Sequence, residues 1–333
     1  FLITVFNSMA SEVNIIAVGG GKGGIGKSVI CTNLAIGMAL SDQKVVLMDT
    51  DFGASNLHAL LGINNPLTGF QDIFNDTNTD KNSLLIDTGI SNLKFVSGAG
   101  DNPGSANIDS EKINTVISFI KNLDTDTVLL DLGPGTNYNV IDLFNASSQN
   151  VVLTTPEITS VMKTFSFIRS ALFRRISLAF EDNPEIQKMV DHSNPQNANV
   201  ETYTTELLRD RFSGDFPDHL QQLNDIIREF QPSLIVNRVR SKKDLMTGDN
   251  LVKLVKKFLN VEVTYLGYII ESDKIRDSVD EMIPFLIKDP NSKPSENLQK
   301  IIGDLTNTDL QLVKRDGRIL VSKQVRLSSG WEI

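Results

Sequence analysis

With 333 residues, the chain is long enough for one large α/β domain or two modest ones. A hydrophobic content of 40% is ordinary for a globular protein, and a formal charge of −9 gives no global attraction to nucleic acid or anionic lipid. The single cysteine, Cys31, excludes an internal disulfide and fits a reducing, cytoplasmic setting, and no apolar run approaches the ~20 residues of a membrane span.

In chain order, residues 1–8 are apolar but lack the basic start and the length of a signal peptide, so Met9 is expected to be the true first residue. Ile15 to Val18 reads as a buried strand, followed by Gly19-Gly-Gly-Lys-Gly-Gly-Ile-Gly-Lys-Ser28. Gly21, Gly26, Lys27 and Ser28 stand at the fixed positions of G-x-x-x-x-G-K-S, a P-loop. From Lys27 to Leu40 the spacing predicts a helix with Val29, Ile30, Leu34, Ala35 and Met38 packing and Cys31 a small core residue. Strand, glycine loop and helix let successive N–H groups turn inward around a phosphate, and side chains on the loop would block that approach. The nucleotide-binding residues expected here are Gly21, Lys22, Gly23, Gly24, Ile25, Gly26, Lys27, Ser28 and Val29. Lys27 reaches the β- and γ-phosphates and the Ser28 hydroxyl binds Mg²⁺. Lys22 is an extra lysine that an ordinary P-loop does not need; taken alone, it reads equally as a solvated loop charge.

Lys44 to Asp51 reads as a second buried strand with two carboxylates, Asp49 and Asp51, at its carboxyl end, the ligand-binding edge of an open α/β sheet. Residues 53–62 read as a loop and a short helix, in which His58 is a packing or surface residue; residues 63–92 read as loops and short elements. Leu93 to Ser97 is a strand, residues 98–100 a turn, and Asp109 to Leu123 a helix with Ile113, Val116, Ile117 and Ile120 on one stripe. The run from Thr127 ends in Asp131, the strand-plus-acid pattern that holds a Mg²⁺ shell. Val151 to Thr155 is a strand, followed by Pro156-Glu157 and a helix to about Phe180. Glu181 to Gln231 is polar and reads as an insertion with a flexible start and one or two helices. Beyond it come a strand at residues 233–238, a helix at 251–259, a strand around Tyr265 to Tyr268, a helix from about Ser272 and another over 295–305. Leu310 to Ser322 reads as a hairpin, with alternating apolar residues around Asp316-Gly317.

The early lysine in Lys22-Gly-Gly-Ile-Gly-Lys27-Ser28 resembles the deviant Walker A motif of the MinD/ParA ATPases. The run from Asp49 to Gly62, with Asn56 within it, resembles the D-x-D-x-G-x-x-N-L-x-x-L-L-G of the FlhG/FleN branch of that family. The Pro156-Glu157 segment resembles its T-x-P-E, near the nucleotide base, and Asn237-Arg238 resembles its adenine-reading strand end. An amide matches adenine's donor–acceptor edge, and no N-K-x-D guanine signature competes, so ATP is favoured over GTP. Gly133-Pro134-Gly135 departs from the family, where a small residue usually stands at the proline position.

The resemblance implies an α/β, doubly wound, mainly parallel sheet over 9–308, including the insertion at about 181–231, with 309–333 as a C-terminal tail. It implies an ATP-hydrolysing, ATP-dependent homodimer in which Lys22 crosses to the partner's nucleotide. Ser28, Asp49 and Asp131 then belong to the Mg²⁺ shell, and Lys22, Lys27 and Asp51 carry catalysis. Spatial regulation of flagella or of division, in the cytoplasm or recruited to a pole or the membrane surface by an unidentified protein partner, is the role such proteins have; no copy of MinD's basic amphipathic membrane helix stands in the tail, which weakens a direct membrane role. Three rivals are weighed: a ParA-like DNA-segregation ATPase, for which Arg174-Arg175 and Arg238, Arg240, Lys242 and Lys243 are the basic clusters, an Mrp-like metal-cluster carrier, and a tyrosine autokinase, which would want a tyrosine-rich tail that the stretch beyond Leu310 lacks. The overall charge argues against DNA, and one cysteine supplies no C-x-x-C.

Overall fold

The computed structural model describes residues 13–53, 55–75, 79–98, 108–192, 204–315 and 318–325. The expected start at Met9 and the Asp316-Gly317 turn lie outside the described residues.

The first half lays down the centre of a sheet. Strand β1 (Asn14–Gly19) runs into the glycine loop and helix α1 (Lys27–Leu40), followed by β2 (Val45–Thr50). Short helices α2 (Leu57–Leu60) and α3 (Phe70–Asn75) precede β3 (Ile86–Asp87), β4 (Leu93–Val96), α4 (Ser110–Lys121) and β5 (Thr127–Leu132). Then come α5 (Tyr138–Asn145), β6 (Gln149–Thr154) and the long α6 (Ile158–Ala179). The polar stretch after α6 forms three helices, α7 (Pro184–His192), α8 (Thr205–Asp215) and α9 (Leu220–Glu229), one more than its composition suggests. The described residues close with β7 (Ser233–Val239), α10 (Met246–Leu259), β8 (Thr264–Ile270), α11 (Asp273–Asp280), α12 (Phe285–Lys288), α13 (Lys293–Thr306) and the antiparallel pair β9 (Thr308–Arg315) and β10 (Arg318–Val325), called the hairpin below.

Eight strands pair in the order β3-β4-β2-β5-β1-β6-β7-β8, all parallel except the edge pair β3–β4. Strands buried on both faces are near-continuous apolar runs, and β2 and β5 are buried along their whole length. Helices cover both faces and divide the apolar core in two. One side holds α1 and α13, where Gly37 permits close approach: a Cβ there would lie 2.2 Å from Ile302 Cδ1. The other holds α4, α5, α6 and α10 together with α7–α9. Ile186, Leu208, Phe212, Leu223, Ile227 and Phe230 belong to that second core, so the polar segment is a structural layer of the domain, its apolar stripes turned inward. The hairpin rests on α13 through buried Leu310 and Leu312, and the Gln299 side chain accepts a hydrogen bond from the Leu312 amide at 2.8 Å.

Candidate nucleotide-binding site

Parallel strands with α-helical crossovers bring the ends of β1, β2, β5 and β7 to one edge of the sheet. There the loop from Gly20 to Gly26 wraps over the N-terminus of α1. The loop is tight: a Cβ on Gly21 would stand 2.0 Å from the Lys163 carbonyl oxygen, and one on Gly20 would stand 2.9 Å from that of Leu153. Gly24 and Gly26 have φ of 74° and 91°, which only glycine adopts at little cost. No side chain caps α1, so its first N–H groups face the loop's concavity, a ready phosphate cradle.

Gly23, Gly24, Gly26, Lys27, Ser28, Val29, Asp49, Asp51, Asn56, Asp131, Pro134 and Arg238 line a cavity of about 350 Å³. Sequence-expected residues from the loop, β2, β5 and β7 thus converge on one space. Lys27 is only 8% exposed.

The carboxylates divide their tasks. Asp49 and Asp131 are register partners on β2 and β5 and both are buried. Asp49 Oδ1 accepts the Asp51 amide at 3.1 Å, and its Oδ2 accepts the Ser55 hydroxyl at 2.7 Å and the Leu57 amide at 3.1 Å. Its carboxylate therefore anchors the loop that carries Asp51, while burial raises its pKa and these hydrogen bonds oppose the rise. Phe52, buried against Phe70 at 5.6 Å between ring centroids, pins the same loop from beneath. Asp131 is different: Ser28 donates to its carboxylate, yet its Oδ1 is buried with no hydrogen-bond partner. Burial, then the neighbouring Asp49 charge, push its pKa up to about 7. A buried, unpaired oxygen beside a serine hydroxyl suits Mg²⁺, and the glycine cradle suits a polyphosphate.

A second cavity of about 390 Å³ adjoins the first through Gly26, Val29 and Arg238, and is completed by Ile30, Asn237, Glu271, Ser272, Ile275, Arg276 and Val279. Its size and half-apolar lining suit a nucleoside. Asn237 Nδ2 donates to the Ile25 carbonyl at 2.8 Å, so this amide straps β7 to the P-loop as well as facing the cavity. Arg238 has φ of 58°, at an irregularity in the β7–β8 pairing between Val236 and Val239 that turns it toward both cavities. The wall from β8 and α11 was missed by sequence reasoning; its one available signal is that β8 ends at the same sheet edge.

Pro156 and Glu157 line neither cavity. Glu157 instead pairs with Lys22, Nζ to Oε2 at 2.5 Å, and Thr159 Oγ1 lies 3.4 Å from the same nitrogen. Lys22 holds the Glu157 carboxyl below its ordinary range. The basic clusters are partly occupied: Arg174 forms a two-pronged pair with Asp142, Arg175 lies over the Phe230 ring, and Arg240 pairs with Glu271. Cys31 is fully buried.

A doubly wound sheet, a glycine cradle and a strand-end acid beside the P-loop serine define a P-loop NTPase. The ParA family model, described as an NUBPL iron-transfer P-loop NTPase, matches residues 12–178, half of the chain, and the chain belongs to this ParA/MinD family. The septum site-determining protein MinD of Helicobacter pylori is 31% identical over 148 residues, 44% of this chain and 54% of that protein. The antiactivator FleN of Pseudomonas aeruginosa is 26% identical over 159 residues, 47% of this chain and 56% of FleN. The matched stretch thus spans about half the length of these relatives. Among solved structures, MinD of Pyrococcus horikoshii complexed with Mg-ADP superposes with a TM-score of 0.58 at 20% identity, covering 88% of this chain and 96% of that one. That likeness shows the fold. Among the described residues, no helix is long and apolar enough to cross a membrane.

Proposed function

We propose that the chain is an ATP-binding and ATP-hydrolysing dimerisation switch that acts as a spatial regulator. The observation that carries this reading is the convergence of Lys27, Ser28, Asp51 and Asp131 on one cavity beneath the glycine cradle. Bound Mg·ATP would supply the anhydride to be cleaved and the metal charge that offsets its phosphates. The loop amides and Lys27 hold the phosphates. Ser28 and the unpaired Asp131 oxygen hold Mg²⁺. Asp51, carried on the loop that Asp49 anchors, orients the attacking water. Asn237 offers its remaining carbonyl oxygen to an adenine amine.

The second lysine of the loop, Lys22, lines neither cavity of its own protomer, which supports an ATP-dependent homodimer in which it reaches the partner's site. The relatives supply the regulatory class: their names speak of septum site determination and of antiactivation. We place this chain with them as a flagellar or division regulator working through a protein partner, in the cytoplasm. Deleting the gene and scoring flagella and septa distinguishes the two roles.

The reading is tested with Lys27→Ala. Removing the one buried cation at the cradle is expected to abolish ATP binding in calorimetry while leaving the fold intact by circular dichroism. Wild-type affinity in this variant refutes the site.

A further inference from the structure

Lys22 is the residue the dimer reading sends across to a partner, yet in the single chain it is already engaged. Its ammonium lies 2.5 Å from Glu157 Oε2 and 3.4 Å from Thr159 Oγ1, two residues brought to it from 135 and 137 positions away. The two belong to the start of α6: Glu157 is its N-cap residue and Thr159 is in its first turn. Glu157 makes no side-chain hydrogen bond to that helix, so capping does not explain its position. The 22-residue helix does favour a carboxylate at that end, so Glu157 remains stable there after Lys22 departs. Both partners are partly exposed, with side-chain exposures of 38% for Lys22 and 56% for Glu157, so the contact is breakable. Between and beside them, Ile158 is 81% exposed and Met162 is 50% exposed, one turn apart on α6. An apolar pair standing in solvent beside a stored cation is a surface arranged to be covered.

Building on the dimer reading, we propose that Glu157 and Thr159 are positioning residues that hold Lys22 within its own protomer, so that this lysine must leave them before it serves the partner's site. The pair opposes closure. An exposed ion pair of this kind is worth a factor of up to about fivefold, and a twofold-symmetric dimer releases two of them, so the dimerisation constant is held down by up to about 25-fold. Salt weakens the hold, since the pair is solvent-exposed.

Two measurements on the full chain test this. The first uses nucleotide-free protein: the rate of Lys22 modification by trinitrobenzenesulfonate, read by peptide mass spectrometry, in wild type, Glu157→Ala and Glu157→Asp. The second follows light scattering against Mg·ATP concentration for the same proteins at low and at high salt. Glu157→Ala is expected to label Lys22 several-fold faster and to dimerise at several-fold lower ATP, with the difference shrinking in high salt. Glu157→Asp is expected to restore part of the hold in both measurements. Equal labelling of wild type and Glu157→Ala overturns the storage contact. A Glu157→Ala protein that needs more ATP to dimerise also overturns it, because Glu157 then acts in the closed state. If the wild type never dimerises, the dimer reading fails, while the labelling comparison still decides the contact.

Discussion

Asp51 and Asp131 show how one sheet edge gives two carboxylates opposite properties. Asp51 lies just past the end of β2, half-buried, on a loop fixed by Asp49 and Phe52. Asp51→Ala removes the group proposed to orient water without touching Lys27, Ser28 or Asp131. Hydrolysis is expected to fall about 10²–10⁴-fold with ATP affinity nearly unchanged, checked by phosphate release beside calorimetry. Asp131 is buried, and its carboxyl is raised from 3.8 to about 7. A carboxyl raised in the folded state binds more protons there than when unfolded, so nucleotide-free stability falls as pH rises between those two values. Asp131→Asn cannot charge. Its nucleotide-free melting temperature is expected to match the wild type near pH 4 and exceed it at pH 8, while Mg²⁺-dependent nucleotide affinity is lost. Parallel melting curves for the two proteins across that range refute the buried-charge account.

At the scale of elements, the unit of construction is strand, loop and helix, braced by two others. Helix α6 presses the Lys163 carbonyl against Gly21, and β7 reaches the Ile25 carbonyl through Asn237. The loop's glycines are consequently unequal. Gly21→Ala places a methyl 2.0 Å from a helix-backbone oxygen that has no room to move, and is expected to cost about 3 kcal/mol and to open the cradle. Gly24→Ala meets nothing within 4 Å and pays only for its φ of 74°, about 1–2 kcal/mol. Urea titrations of the two variants, with ATP binding measured alongside, check the ranking. The motif marks both positions as glycine; only the packing of α6 explains which glycine has a neighbour.

For the molecule as a whole, helices α7–α9 share one core with α4, α5, α6 and α10 and are expected to unfold with them. Fully buried Phe212 joins the core that α4, α5 and α6 share. Phe212→Ala is expected to cost about 3–5 kcal/mol and to lower the midpoint of a single transition in which ATP binding and helicity are lost together. Separate melting of the polar segment, with ATP binding retained, shows instead that it is an appendage.

The local chemistry was written in the sequence. The glycine loop, the helix from Lys27 to Leu40, and the acids at the ends of β2 and β5 were legible because short-range spacing alone dictates them: a P-loop needs its glycines, lysine and serine in fixed order, and buried parallel strands need unbroken apolar runs. Polar composition concealed the third helix of the α7–α9 layer, since a stripe of isolated apolar residues buries a helix as well as a continuous run does. Contacts between distant segments were beyond the sequence. Glu157 was expected near the base and meets Lys22, Asn237 spends its amide on Ile25, and α11 supplies a cavity wall. Each depends on where strand order sets separate chain segments side by side, and a side chain's partner is decided by that proximity, which spacing along the chain does not encode.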